Sequence, residues 1–349
     1  MAHMCIFHAA LVLCLVRTTT GNMPFSLDRV TDQYTYSSNL PLLKVFRSSL
    51  PKPLFNLLAP EAKAISAYVA KRDADHLKHG KKATFWMPAS RIKHLNSLGK
   101  KNGKRPSPRS AIEAAISLFF QIAFPNSTHI PGGFAGAEWW VQRVRADEHT
   151  KQSSIGFHFD KDEGVASERG YMKMPVFSTV TYLTDDGAPT MVINQTTNRG
   201  GNMNIPEHPT AINLVFPKRG RHLIFRGNLA HGVPGQLAPL AEGGAAHRTT
   251  FLINWWNQKP IEPYCLHTSR SLWNKDAFVS TQHQAKLKSV FQALQKGRLV
   301  HLPKRSRPSP LVASTGDCTS KRVPTVSKHS RVLNVRLRIS GMGSAVFYC

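Results

Sequence analysis

The hydrophobic pattern changes period as the chain is read from its N-terminus. Between residues 41 and 97 apolar positions recur at mixed helical spacing (Leu54, Leu57, Leu58, Ala62, Ile65, Tyr68), broken by Pro51, Pro53 and Pro60, which predicts short helices joined by loops. Ser110 offers an N-cap to the run Ala111–Ile122, whose apolar face predicts a helix packed on the outside of a core. The pattern then turns to strands. Glu138–Arg145 alternates, although Trp139, Val141 and Val144 fall out of step and point to a bulge or a register change. Val176–Leu183, the turn Thr184–Pro189 and Thr190–Ile193 read as strand, turn and strand. Leu223–Phe225 is a short apolar strand leading into a turn at Gly227-Asn228, and Thr249–Trp256 is rich in the β-branched and aromatic residues of a buried strand. Helical spacing returns at Thr281–Gln295, where Ala285, Leu287, Val290, Phe291 and Leu294 share a stripe.

These elements predict a mainly β protein with flanking α-helices. A chain of 349 residues accommodates one sizeable β-rich domain with helical additions. The expected layout is a targeting or disordered segment at 1–24, a helical region at 25–125 with a basic linker at 98–109, the β domain at 126–260, a helical extension at 261–296 and a tail at 297–349. Beyond Lys296 the composition shifts to Ser, Pro, Lys and Arg, with Asp317 the only acidic residue, which predicts disorder. No internal repeat marks a solenoid or propeller.

The formal net charge of +26 concentrates in the linker and tail and is also scattered through the domain, so polyanion binding through those segments is admissible beside the plainer reading of a solvated basic tail with no specific partner. Cys5, Cys14, Cys265, Cys318 and Cys349 are too widely spaced for a zinc ribbon or a dense disulfide framework. The apolar run Cys5–Val16 is too short to span a bilayer and lacks a basic residue before it. It leaves secretory targeting open against a favoured intracellular location, and no transmembrane segment is expected.

The chemistry concentrates in three places. Gly156-Phe157-His158-Phe159-Asp160 puts a histidine and an aspartate two residues apart, so that on an extended strand both side chains face one way while Phe159 turns into packing. His231 follows the Gly227-Asn228 turn, and Arg248 opens the last apolar strand, where its charge enters a core unexplained. Two imidazoles and a carboxylate on one face are the donor set of a divalent iron whose other face stays open. Of the competing histidines, His222 follows Arg219-Gly220-Arg221 and reads as part of a solvated basic turn, His247 neighbours Arg248, and His208 lies in a proline-flanked loop. Asp162 and Glu163 read as surface groups or as carboxylates orienting a histidine.

The order His158, Asp160, His231 and Arg248 resembles the 2-oxoglutarate- and Fe(II)-dependent dioxygenase superfamily, over about Glu138 to about Asn257. The resemblance implies a double-stranded β-helix (jelly-roll) core, with Fe(II) held by His158, Asp160 and His231. It implies 2-oxoglutarate gripped by Arg248 with help from Tyr182, with Thr181 and Thr190 also near that pocket, and ascorbate as accompanying reductant. A planar guanidinium suits the task because it binds a carboxylate bidentately and keeps its charge. The implied reaction hydroxylates a substrate while 2-oxoglutarate is converted to succinate and CO2.

The residues also mark where the resemblance thins. The alkylation-repair branch carries a second arginine after an Arg-x-Asn-x-Thr-like run, from which Arg248–Asn254 departs, and the jumonji-type branch uses a lysine clamp. A protein side chain or a small molecule is therefore the favoured substrate. The alternative reading is a non-catalytic, cupin-like jelly-roll that binds a metal through the same residues and a polyanion through its basic tail.

Overall fold

Eight of the ten strands between Gly136 and Trp256 cross back and forth between two facing sheets, and the other two pair as a separate hairpin. The computed structural model describes residues 43–72, 84–97, 106–125, 133–146, 154–209, 211–238, 247–261 and 281–296, with strands at 305–306, 309–314 and 332–338. The strands are β1 (Leu43–Phe46), β2 (Phe85–Pro88), β3 (Gly136–Arg145), β4 (Ile155–His158), β5 (Phe177–Tyr182), β6 (Thr190–Ile193), β7 (Thr196–Thr197), β8 (Asn204–Ile205), β9 (Ala211–Val215), β10 (His222–Arg226), β11 (His231–Val233), β12 (His247–Trp256), β13 (Arg305–Ser306), β14 (Ser309–Ser314) and β15 (Val332–Arg338). The helices are α1 (Lys52–Arg72), α2 (Ala89–Asn96), α3 (Ala111–Ala123), α4 (Glu163–Arg169) and α5 (Thr281–Gln295).

The larger sheet holds β10-β5-β12-β3 at its centre and the smaller sheet β9-β6-β11-β4, with every neighbouring pair in these two sets antiparallel. Because β3, β5, β10 and β12 lie in one sheet and β4, β6, β9 and β11 in the other, the chain winds as a jelly-roll. Val180, Tyr182, Leu223 and Phe225 of the larger sheet meet Val192 and Val215 of the smaller one inside the barrel. On the outer face of the larger sheet Trp139, Phe251, Ile253 and Trp255 pack with Leu54, Leu58 and Ile65 of α1, Ile116 and Phe119 of α3, and Leu287 and Phe291 of α5. The helices thus stiffen the sheet that carries β12.

The helix α3 forms as expected. Ser110 accepts a hydrogen bond from the backbone N–H of Glu113 at 3.0 Å, and the buried carboxylate of Glu61 accepts from Ala111 and Ile112 at 2.8 and 3.3 Å. Four orphan donors open any helix, and a carboxylate is well placed against them.

Four expectations need correction. The prolines do not divide α1, which runs unbroken from Lys52 to Arg72 with Pro60 inside it. Pro53 falls in the first turn, where no N–H is required, and exposed Pro60 forfeits one bond that packing of the helix offsets. The region expected to be helical also supplies β1 and β2 to the larger sheet. No bulge interrupts β3, which pairs with β12 residue for residue from Gly136↔Trp256 to Arg145↔His247. Both faces of β3 are covered, Trp139 and Val141 facing the helices and Trp140 and Val144 the barrel, so its apolar residues need not alternate. Finally, the tail expected to be disordered contributes β13 to the larger sheet and β14 and β15 to the smaller. Leu333, Val335 and Leu337 alternate with Asn334, Arg336 and Arg338, a period of two concealed by the basic composition around it.

The possible targeting segment at 1–24, most of the basic linker and most of the tail lie outside the described residues. Among the described residues no helix is long and apolar enough to cross a membrane.

Candidate metal centre

His158 and His231 are cross-strand neighbours. The antiparallel pair β4 and β11 places them directly opposite one another, with ring centroids 4.4 Å apart. Gly232 permits the approach, since a Cβ there would lie 2.9 Å from the Ile155 carbonyl oxygen. β4 ends at His158, so Asp160 lies just past the strand rather than on it, yet its carboxylate still turns to the same side. Phe157 and Phe159 go the other way, into the apolar cluster of Met191, Ile193 and Ile212 outside the smaller sheet.

One ligand atom from each of His158, Asp160 and His231 falls within 4.8 Å of the others. His158 Nε2 is 3.8 Å from Asp160 Oδ1, and His231 Nε2 is 3.5 Å from Asp160 Oδ2. The hydrogen bonds fix which ring nitrogen is available. His158 Nδ1 lies 2.8 Å from the Gly156 carbonyl and His231 Nδ1 3.0 Å from the Leu229 carbonyl. A carbonyl can only accept, so each Nδ1 carries the proton and each Nε2 presents a lone pair toward Asp160. Ser178 of β5 donates to Asp160 Oδ2 at 2.6 Å and holds the carboxylate in place. His231 is buried against Phe225, whereas the His158 side chain is 37% exposed, so the centre opens on the His158 side. The donor set and its orientation fit a divalent metal.

Arg248, at the start of β12, is 2% exposed. Its Nε donates to the Ala188 carbonyl at 3.1 Å and its Nη2 to Thr190 Oγ1 at 2.8 Å, while Nη1 is buried without a partner. Burial pushes the guanidinium pKa down from its ordinary value, with Tyr182 opposing the shift. Gly187 makes room for this side chain: at φ +93° it occupies the left-handed region, and a Cβ would fall 2.6 Å from Arg248 Cβ. Arg248 also lies toward the metal group. Thr190 lies two residues from Val192 on β6, and Val192 is the cross-strand partner of His231. One two-residue repeat of about 7 Å and one strand spacing of about 4.8 Å therefore separate Thr190 from His231 along the sheet.

Tyr182, which the resemblance implies assists Arg248, sits beneath it. Its hydroxyl is fully buried, 2.5 Å from the Val215 carbonyl and 2.7 Å from Thr190 Oγ1. The carbonyl takes the phenolic proton, so Thr190 donates to Tyr182 and is left to accept from Arg248. Tyr182 thus sets the orientation of Thr190, and its ring lies 5.3 Å below the Arg248 guanidinium. Thr181 points to the opposite face of the sheet and meets His222 Nδ1 at 2.8 Å.

The competing residues are placed elsewhere. His222 is not solvated: it is fully buried on the helix side of the larger sheet, stacked on Phe119 with ring centroids 4.1 Å apart. Burial lowers its pKa to about 3. The basic turn ends one residue earlier, and His222 already belongs to β10. His208 is exposed, and His247 pairs with Arg145 at the start of β12. Asp162 orients no histidine. It caps α4 by accepting from Val165 at 3.1 Å and also accepts from Ile261 at 3.0 Å, while exposed Glu163 meets Lys161.

Three residues at the site escape a linear reading of the sequence: Ser178, Asn254 and Glu138. Cross-strand register places them in one row on the barrel side, Glu138 opposite Asn254 and Asn254 opposite Ser178. Burial raises the Glu138 pKa to about 7, with Asp160 and Asp162 adding to the shift and the Trp256 indole N–H opposing it. Their signal lay in strand parity: Ser178 stands four residues before Tyr182 on β5 and shares its face, and Asn254 and Glu138 follow from it by pairing.

No family model matches the chain, and no curated relative matches it. Among solved structures it is similar to a Pseudomonas putida prolyl-4-hydroxylase at 14% identity and a TM-score of 0.32, over 64% of this chain and 88% of that one. It is similar to apo EctD from S. alaskensis at 16% identity and a TM-score of 0.34, over 64% and 77% of the two chains. HygX from Streptomyces hygroscopicus with iron bound aligns at 9% identity and a TM-score of 0.28, over 65% and 87%. Likeness of this depth adds no weight to the site, whose reading rests on its own geometry. The jelly-roll winding and the His158, Asp160 and His231 group are what the dioxygenase resemblance implies.

Proposed function

We propose that this chain is an Fe(II)- and 2-oxoglutarate-dependent dioxygenase that hydroxylates a protein side chain or a small molecule. The observation that carries the reading is the buried guanidinium of Arg248, whose Nη1 has no partner, held by Thr190 one two-residue repeat along β6 from the cross-strand partner of His231 in a His-Asp-His group. A buried charge without a counter-ion is costly. A ligand carboxylate supplies that counter-ion.

Each residue then has a defined task. His158, Asp160 and His231 would hold the metal through Nε2, a carboxylate oxygen and Nε2. The carbonyls of Gly156 and Leu229 keep both imidazoles in the tautomer that can ligate, and Ser178 restrains Asp160. Arg248 would receive the distal carboxylate of 2-oxoglutarate, held in position by Thr190 and the Ala188 carbonyl. When bound, the iron and 2-oxoglutarate supply dioxygen activation coupled to decarboxylation, one oxygen atom going to succinate and the other to the substrate. The apolar lining from Val180, Val192 and Leu223 excludes water from the barrel interior.

The test is spectroscopic and catalytic. Anaerobic addition of Fe(II) and 2-oxoglutarate should give a visible metal-to-ligand absorption band in the wild type and none in His158→Ala. Succinate release with Fe(II) and ascorbate should be lost in His158→Ala and Arg248→Ala, and turnover that survives both substitutions refutes the proposal.

A further inference from the structure

On the barrel side of the larger sheet stand four residues that neither the metal group nor Arg248 uses. Glu138 and Trp140 lie two apart on β3 and share a face, and Trp86 of β2 is the cross-strand partner of Glu138. Trp256, the last residue of β12, donates its indole N–H to Glu138 Oε2 at 3.0 Å. The Trp86 ring lies across Gly136, where a Cβ would come within 2.5 Å of the indole Cζ2, so the glycine makes space for the ring. Trp86 and Glu138 are partly exposed, whereas Trp140 and Trp256 are buried. A ligand therefore meets the Trp86 ring and the Glu138 carboxylate, with Trp140 and Trp256 closed in behind them.

The chemistry of this group has one sign. Indole faces carry negative potential and attract cations, most strongly when the cation is stripped of water. Glu138 adds a carboxylate whose neighbour is an indole N–H, and among the described residues no lysine, arginine or histidine forms an ion pair with it. The row Glu138, Asn254 and Ser178 leads to Asp160, so a group held at Trp86 and Glu138 lies on the metal ligands' side of the sheet, about two strand spacings or ~10 Å from Ser178. We propose that Trp86 and Glu138, backed by Trp140 and by the Trp256 indole N–H that holds the carboxylate, form the substrate subsite and take a positively charged, N-alkylated ammonium group. The proposal rests on the dioxygenase reading for the reaction that follows, but not for the binding itself.

Binding is measured on the full-length protein without iron or 2-oxoglutarate, by calorimetry and tryptophan quenching. Choline is compared with its neutral carbon isostere 3,3-dimethylbutanol, and trimethyl-lysine as the free amino acid with the same residue in a short peptide. The cations should bind at least about tenfold more tightly than the neutral isostere. Glu138→Gln, which retains an acceptor for Trp256, should weaken choline about tenfold, and Trp86→Ala about fivefold. Tighter binding of the peptide assigns the ammonium to a protein side chain, and tighter binding of the free amino acid to a small molecule. Equal affinity for choline and the isostere, unchanged affinity in Glu138→Gln, or no binding of any cation overturns the proposal. The absorption band with Fe(II) and 2-oxoglutarate is recorded on the same preparations. Its absence from wild type alongside intact cation binding would remove the dioxygenase reading and leave the subsite standing.

Discussion

Replacing Arg248 by methionine should leave the fold intact and abolish the response to 2-oxoglutarate. The substitution removes a buried guanidinium that has one unpartnered nitrogen, and relieving a buried charge is often neutral or stabilising by roughly 1–4 kcal/mol. Against this, the Ala188 carbonyl and Thr190 Oγ1 lose their donor at a cost of about 1–3 kcal/mol each, although Thr190 still donates to Tyr182. The two terms nearly cancel. Ligand binding behaves differently. A bidentate pair of charge-assisted bonds is worth about 1.5–3 kcal/mol per bond, so the dissociation constant for 2-oxoglutarate should rise at least about 100-fold. At a concentration of about 100 times its dissociation constant the ligand stabilises the wild type by about 2.7 kcal/mol, which corresponds to about 6–10 °C in Tm. At the same concentration the variant should gain only about 0.4 kcal/mol, or about 1 °C. Thermal melts with Mn(II) in place of Fe(II), with and without 2-oxoglutarate, report both effects. A variant that melts far below wild type without ligand, yet keeps the full ligand shift, would show that Arg248 is a structural post and that the carboxylate binds elsewhere.

Three further outcomes follow from the same geometry. Ser178→Ala removes the 2.6 Å hydrogen bond to Asp160 Oδ2 and should weaken Fe(II) binding about 10- to 100-fold in anaerobic titrations, while unchanged affinity would leave Ser178 no part in the site. Gly187→Ala would put a methyl 2.6 Å from Arg248 Cβ at φ +93°, so the KM for 2-oxoglutarate should rise about tenfold with the metal affinity preserved, and a parallel loss of both would point to general misfolding. His222 titrates near 3 in the fold against 6.5 when unfolded, so the unfolded chain takes up the proton first as pH falls. Its contribution to stability is intact above 6.5 and lost progressively toward 3, amounting to about 2 kcal/mol at pH 5. Urea unfolding at pH 7 and pH 5 should show that difference shrinking by about 2 kcal/mol in His222→Gln, and an equal pH dependence in both proteins would refute the assignment.

Much of the fold is legible because its central strands are bounded by turn signals. Thr184–Pro189 separates β5 from β6, and Thr249–Trp256 is too rich in β-branched and aromatic residues to be a surface helix. The helices α3 and α5 are legible from their apolar stripes. The peripheral strands are not. β1 and β2 are four residues each, too short for a period to emerge, and β13 to β15 lie in a basic stretch whose composition overrides its local alternation. The unbroken α1 eluded the sequence because a proline's effect depends on its position in the turn, and Pro53 stands where it removes no hydrogen bond.

The metal group and Arg248 are legible for a different reason from the rest of the site. His158 and Asp160 declare themselves through a local spacing, and Arg248 through a charge at the mouth of an apolar strand. Ser178, Asn254 and Glu138 carry no such mark, since each is an ordinary polar residue until β5, β12 and β3 are laid side by side. Register does the selecting. Pairing Gly136 with Trp256 puts Glu138, Trp140 and Trp256 on the barrel face, whereas a slip of one residue would turn Glu138 and Trp140 toward the helices and bring Trp139 and Val141 inside. His222 shows the same dependence in reverse. Its neighbours Arg219 and Arg221 favour a solvated turn, but one residue later the chain has entered β10, and parity sends the ring to Phe119 and Thr181 rather than to the metal. A histidine facing the helices cannot ligate at the centre of the barrel, so the choice of His231 over His222 is decided by which side of its sheet each residue occupies.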